Sequence, residues 1–141
     1  MGEKLTILMA EDDDGHARLV EERFESVGVK NPIVRFRDGA EAWAYLTGPE
    51  LRNGGEYLLL LDIRMPGLDG IEILRRIKGD PRLRTIPVIM LTTTDDPKEV
   101  EACYSYGCNS YLTKPVEFDK FAEVIKRLGL FLMVVKVDKL K

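Results

Sequence analysis

Short apolar runs alternate with longer stretches whose apolar residues recur every three or four positions. Leu5-Thr6-Ile7-Leu8-Met9-Ala10 reads as a buried strand. A helix follows to about Val27, capped by Asp13 or Asp14, with Val20, Phe24 and Val27 on its apolar face and Gly28 as its stop. Pro32-Ile33-Val34-Arg35-Phe36 is a second strand, and Asp38 opens a second helix through Ala42, Trp43 and Leu46. After a loop rich in Pro, Gly and charge, Tyr57-Leu58-Leu59-Leu60-Leu61 forms the most apolar run and ends at Asp62. Pro66-Gly67 marks a turn before a third helix carrying Ile71, Leu74 and Ile77. Ile86-Pro87-Val88-Ile89-Met90-Leu91 is a fourth strand, with Pro87 at its start where a missing donor is tolerated. A fourth helix runs from about Pro97 to Tyr106 and stops at Gly107. Ser110-Tyr111-Leu112-Thr113 is a fifth strand, and Phe118, Phe121, Ile125 and Leu128 mark a last helix.

Five repeats of strand then helix imply a parallel sheet covered on both faces. Near-continuous apolar strands, rather than strict alternation, agree. The repeats end near Gly129. Residues 130–141 form an extension, apolar at first and then basic through Lys136, Lys139 and Lys141. The expected division is one domain over 1–129 plus this tail, without a separate output domain.

Composition narrows the classes. The 141 residues suit one domain with a sizeable core. A formal charge of -3 with no basic stripe argues against independent nucleic-acid binding. No apolar run approaches the ~20 residues of a membrane span, and the N-terminus carries no signal-peptide pattern. A cytoplasmic protein is expected. The spacing of Cys103 and Cys108 fits no zinc pattern, so two reduced thiols in or near the core are expected.

The positions of the polar residues carry the functional reading. Glu11, Asp12 and Asp13 follow the first strand, Asp62 ends the third, Thr92 follows the fourth and Lys114 follows the fifth. In a parallel sheet all carboxyl ends lie on one edge, where open α/β sheets bind ligands. Acids from two strands, a hydroxyl and an ammonium should therefore converge. Clustered carboxylates repel, and a hard divalent cation such as Mg²⁺ relieves the repulsion through oxygen ligands. An ammonium suits phosphate oxygens. The chemistry such a site supports is attack by an aspartate oxygen on a phosphoryl group.

With these residues in place, the chain resembles a response-regulator receiver domain of two-component signalling. The carriers are Ile7-Leu8-Met9-Ala10-Glu11-Asp12-Asp13, Leu61-Asp62-Ile63-Arg64-Met65-Pro66-Gly67-Leu68-Asp69-Gly70, Ile89-Met90-Leu91-Thr92 and Tyr111-Leu112-Thr113-Lys114-Pro115. The resemblance implies a flavodoxin-like (βα)5 three-layer sandwich with strand order 2-1-3-4-5. It implies Asp62 as phosphoacceptor and a Mg²⁺ held by Glu11, Asp12, Asp62 and the backbone carbonyl of Arg64. Thr92 and Tyr111 would be the switch pair, Lys114 would pair with phosphoryl oxygens, and the Lys114-Pro115 bond would be cis. The donor would be a sensor histidine kinase or a phosphotransfer protein. The loop after the second helix, Arg37-Asp38-Gly39, Leu91-Thr92-Thr93 and the tail resemble regulators paired with phytochrome kinases. Arg64, Thr93 and Thr94 occupy positions expected to set the lifetime of the phosphorylated state. The family's common dimer face uses the fourth helix, fifth strand and fifth helix, where the tail emerges. Homodimerisation there is expected, against the tail packing on its own subunit. The implied activity is self-catalysed phosphotransfer and autodephosphorylation in a signalling protein, not a metabolic enzyme.

Other readings weigh less. A flavin binder needs a hydroxyl- and glycine-rich phosphate loop where this chain has Glu11-Asp12-Asp13-Asp14. An aspartate-dependent phosphatase wants an acid at the position of Arg64. A receiver-fold scaffold acting without phosphorylation would have no use for Asp12, Asp62, Thr92 and Lys114 together. His16 is read as a surface or packing residue rather than a phosphorelay histidine, and Tyr104 and Tyr106 as partly buried helix aromatics rather than a partner surface.

Overall fold

The structure is a computed structural model that describes residues 5–93 and 96–128. Strands β1 (Thr6–Ala10), β2 (Ile33–Phe36), β3 (Tyr57–Asp62), β4 (Val88–Thr92) and β5 (Ser110–Thr113) alternate with helices α1 (Asp14–Ser26), α2 (Gly39–Leu46), α3 (Gly70–Lys78), α4 (Pro97–Ser105) and α5 (Phe118–Arg127). The strands pair in parallel in the order β2-β1-β3-β4-β5, the flavodoxin-like arrangement.

Alternate strand residues feed two cores. Leu8, Ala10, Leu59, Leu61 and Met90 face one side, covered by Ala42 and Leu46 of α2, Ile73, Leu74 and Ile77 of α3, and Cys103 of α4. Ile7, Met9, Leu58, Leu60, Ile89 and Leu91 face the other, under Val20 and Phe24 of α1 and Phe121 and Ile125 of α5. Phe24 and Phe121 meet edge to face at 4.8 Å and tie these two helices together. Each fully buried Leu or Ile is worth about 1.5–3 kcal/mol, so the three central strands dominate the fold's stability.

Aspartates start four helices. Asp13, Asp38, Asp69 and Asp96 each accept a backbone N–H two or three residues on. Asp13, not Asp14, caps α1. Gly28, at φ 84°, and Gly107, at φ 100°, follow α1 and α4 in the left-handed region that glycine adopts without penalty.

Most of the predicted pattern holds, and one strand boundary shifts. Phe118 opens α5, as the pattern implied, and is 43% exposed in the helix's first turn. On α3, Leu74 and Ile77 are buried with Ile73, and Ile71 is half-buried and packs against the same core, as the pattern implied. Strand β4 begins at Val88, since Pro87 has no N–H and contributes only its carbonyl, which accepts from Leu59 N. Both cysteines are free and buried, as expected. Burial pushes the Cys108 thiol up to about 12 and raises that of Cys103. Tyr104 and Tyr106 are 44% and 42% exposed, more open than the packing reading implied. The tail 130–141 and Thr94 lie outside the described residues.

Candidate functional site

The carboxyl ends of β1, β3, β4 and β5 bring the expected polar residues to one edge. Glu11 directly follows β1, and its side chain is fully buried. Asp62 closes β3 and is 3% exposed; Thr92 closes β4 and is 2% exposed. Lys114 follows β5 and reaches back across the edge. Its Nζ lies 2.7 Å from Glu11 Oε1 and 3.0 Å from Asp62 Oδ2, with only 6% of its side chain exposed. One ammonium thus ties together acids that lie 51 residues apart, on the ends of two strands.

Burial raises the Glu11 carboxyl above its ordinary value, opposed by the hydrogen bonds from Lys114 and from the Asp13 N–H. For Lys114, burial pulls downward, but hydrogen bonds and charge from Glu11 and Asp62 outweigh it and hold the ammonium above its ordinary range. The lysine stays charged at neutral pH.

Asp12 is exposed, yet a carboxylate oxygen from each of Glu11, Asp12 and Asp62 fits within 4.8 Å. Three clustered carboxylates sharing one ammonium leave excess negative charge and free oxygen lone pairs. This donor set fits a hard divalent cation.

The loop between β3 and α3 shapes the other wall. Arg64 N donates to Asp62 Oδ1 at 3.2 Å. Gly67, at φ 78°, makes the turn that Pro66-Gly67 signalled. Gly70 lies so close to the end of β3 that a Cβ there would sit 2.2 Å from the Asp62 carbonyl oxygen. The Arg64 guanidinium swings away from Asp62 to pair with Glu99 of α4 at 2.9 Å. Glu99 also accepts from the Thr92 hydroxyl at 3.4 Å. Tyr111 is half-buried and meets Tyr104 edge to face at 5.8 Å beside a groove between β5 and α5. Thr93 is exposed. The Lys114-Pro115 peptide bond is cis.

The structure therefore brings Glu11, Asp12, Asp62 and Lys114 together, with Arg64 bonded through its backbone. Thr92 lies at the same edge with a bond to Glu99, and Tyr111 lies further out. His16 forms no part of the cluster; its N–H donates to the capping Asp13, and its ring nitrogen lies 3.7 Å from the same carboxylate. Two residues escaped sequence reading. Glu99 gave no signal beyond an acid in a helix's first turn. Arg35 did give one, a charge inside the apolar run Ile33-Val34-Arg35-Phe36. Its guanidinium binds the β1–α1 loop: Nε donates to the Glu11 carbonyl at 3.0 Å and Nη1 to Asp14 Oδ1 at 2.8 Å.

Parallel topology and an acid–lysine cluster at one edge define the class, and comparison with known proteins supplies the family. The profile of the response regulator receiver domain matches residues 7–126, and the chain belongs to that family. Among characterised relatives, the chain is 39% identical over 126 residues to the probable methanogenesis regulatory protein FilR2 of Methanothrix harundinacea, covering 86% of this chain and 79% of the relative. It is 38% identical to response regulator Rcp1 of Synechocystis over 89% of this chain and 86% of Rcp1. Among solved structures, a receiver domain from Rhodospirillum rubrum shares 46% identity at a TM-score of 0.75, covering 92% of this chain and 94% of that one. The Mn²⁺-bound form of Rcp1 shares 33% at 0.72, with 91% and 94% covered. The phosphorylated cyanobacterial phytochrome response regulator RcpA shares 34% at 0.73, with 89% and 91% covered. Among the described residues, no helix is long and apolar enough to cross a membrane.

Proposed function

We propose that this chain is a two-component response regulator that accepts a phosphoryl group on Asp62. The observation that carries the reading is the contact of Lys114 with both Glu11 and Asp62 beside the exposed Asp12. A metabolic flavin or substrate site has no use for three clustered acids, two of them bridged by a buried ammonium. The phosphorylated RcpA and the Mn²⁺-bound Rcp1 support the same chemistry here.

In this reading an Asp62 oxygen attacks the phosphorus of a phosphohistidine on a sensor histidine kinase or phosphotransfer protein. The Asp62 O–P bond forms, the N–P bond breaks, and the imidazole leaves with the bonding pair and takes a proton. Glu11, Asp12, Asp62 and the Arg64 carbonyl would hold a Mg²⁺, which when bound neutralises charge on the transferring group. Lys114 is charged before transfer and within reach of Asp62, so exchanging a carboxylate contact for a phosphoryl oxygen needs no proton movement. Thr92 trades its bond to Glu99 for the phosphoryl group, and Tyr111 follows behind it, altering the α4–β5–α5 face. Arg64 and Thr93, with Thr94, set how readily water removes the phosphoryl group. A phytochrome-type kinase is the proposed partner, in the cytoplasm, with a homodimer through that face and the tail.

The test is intact-mass spectrometry after incubation with Mg²⁺ and a small acyl phosphate. One added phosphoryl group, absent with chelator and in Asp62→Asn, is the expected result. An unmodified mass in folded protein that binds Mg²⁺ and has met its kinase would overturn the reading.

A further inference from the structure

The two acids that follow β1 sit on a loop that must keep its shape while its carboxylates repel one another. Besides the Asp13 N–H bond to Glu11 Oε2 and the Lys114 contact, bonds from outside the cluster hold it. Arg35 projects from β2, the edge strand, with its side chain 19% exposed. Its guanidinium forks across the loop, one arm on the Glu11 carbonyl oxygen and one on the Asp14 carboxylate, so it grips the loop on both sides of Asp12. Arg37 adds a second bond to the same Asp14 oxygen at 2.9 Å, from a largely exposed side chain. Asp14 is also the first residue of α1, so the fork registers β2, the loop and the helix against one another.

The geometry has a further property. No bond of Arg35 goes to a carboxylate of Glu11, Asp12 or Asp62, so the fork fixes the ligand-bearing backbone without consuming ligand oxygens. A guanidinium can do this because its donors lie in one rigid plane and reach two acceptors at once; an ammonium carries the charge without the fork.

We propose that Arg35 is a positioning residue for divalent-cation binding, acting with Asp14 to hold the Glu11–Asp12 backbone in ligating geometry. This rests on the cation site of the proposed function. Two opposing effects follow from removing Arg35. Losing the fork frees the loop and weakens the cation. Losing a positive charge nearby strengthens it. The proposal asserts that the first is larger.

The experiment is Mn²⁺ binding to the full chain by electron paramagnetic resonance, without phosphodonor. It compares the native protein with Arg35→Met, Arg35→Lys, Asp14→Asn, the Arg35→Met/Asp14→Asn double variant and Asp12→Asn. Amide hydrogen exchange across residues 12–15 is followed in EDTA. Arg35→Met should weaken Mn²⁺ about tenfold, as removal of partners behind a ligand typically does. Arg35→Lys should bind no better than Arg35→Met, because the charge returns without the fork. The double variant should be no weaker than the weaker single, and each variant at Arg35 or Asp14 should exchange faster at residues 12–15 without cation. Arg35→Met binding as tightly as the native chain, or tighter, would overturn the proposal. So would full recovery in Arg35→Lys, which would assign the effect to charge, or additive losses in the double variant. A native chain that binds Mn²⁺ no better than Asp12→Asn would overturn the cation site itself and the proposal with it.

Discussion

The two halves of the site edge are built differently. Around Glu11 and Asp62, the acids are held by charge-assisted bonds of 2.7–3.0 Å: Lys114 to Glu11 and Asp62, Arg35 to the Glu11 carbonyl and to Asp14. On the β4–α4 side, the contacts are looser. The Thr92 hydroxyl reaches Glu99 at 3.4 Å, and the Arg64 side chain that shares Glu99 is 68% exposed. A 3.4 Å hydroxyl bond and an exposed ion pair are each weak. In the proposed function, the first group would keep the cation's ligands in place, and the second would give up its contacts at small cost when a phosphoryl group joins Asp62.

That contrast can be broken, and the largest effect is expected at Lys114. Lys114→Met leaves two buried acids without their counter-charge, and the loss should be about 3 kcal/mol at pH 7 by denaturant unfolding, partly restored by Mg²⁺. The pH dependence has a definite sign. The folded lysine binds its proton more tightly than an unfolded one, so its contribution is complete at neutral pH and lost only as pH rises above the ordinary lysine value through the raised one. Lys114→Met should therefore lack that alkaline loss, and an unchanged alkaline profile would show that the ammonium is not the tie.

Next comes Gly70→Ala, which forces a methyl group against the Asp62 carbonyl and the Ile63 backbone. It should cost about 2 kcal/mol, because backbone rather than a flexible side chain must yield. A neutral result would mean that the β3–α3 loop is not pinned at Asp62.

The smallest effect belongs to the looser side. Arg64→Ala removes an exposed ion pair and should shift stability by about 0.5 kcal/mol or less, while the lifetime of the phosphorylated form changes. A stability loss comparable to that of Lys114→Met would erase the contrast between the two sides.

The fold was legible because each signal was local. Buried parallel strands read as continuous apolar runs, and aspartates with glycines punctuated the helices. The acid cluster was legible for a topological reason: residues ending parallel strands must share an edge, so Glu11, Asp62 and Lys114 could be placed together without a structure. What escaped depends on side-chain direction across elements. Whether Arg64 turns to Asp62 or to Glu99 is decided by the placement of α4, which no local pattern states. Arg35 was visible as a charge within a strand, but its acceptors lie 21 and 24 residues away. Phe118 fitted the spacing of α5 and is exposed, since periodicity does not say where a helix first touches the sheet.

The central claim is that Asp62, and no other residue, takes the phosphoryl group. It is tested by reducing the phosphorylated protein with borohydride, which converts an aspartyl phosphate to homoserine, and mapping the peptides by mass spectrometry. The account predicts homoserine at position 62 alone, formed only when Mg²⁺ is present during phosphorylation. Homoserine at another acid, or a phosphoryl group that survives borohydride on a hydroxyl or imidazole, would contradict it.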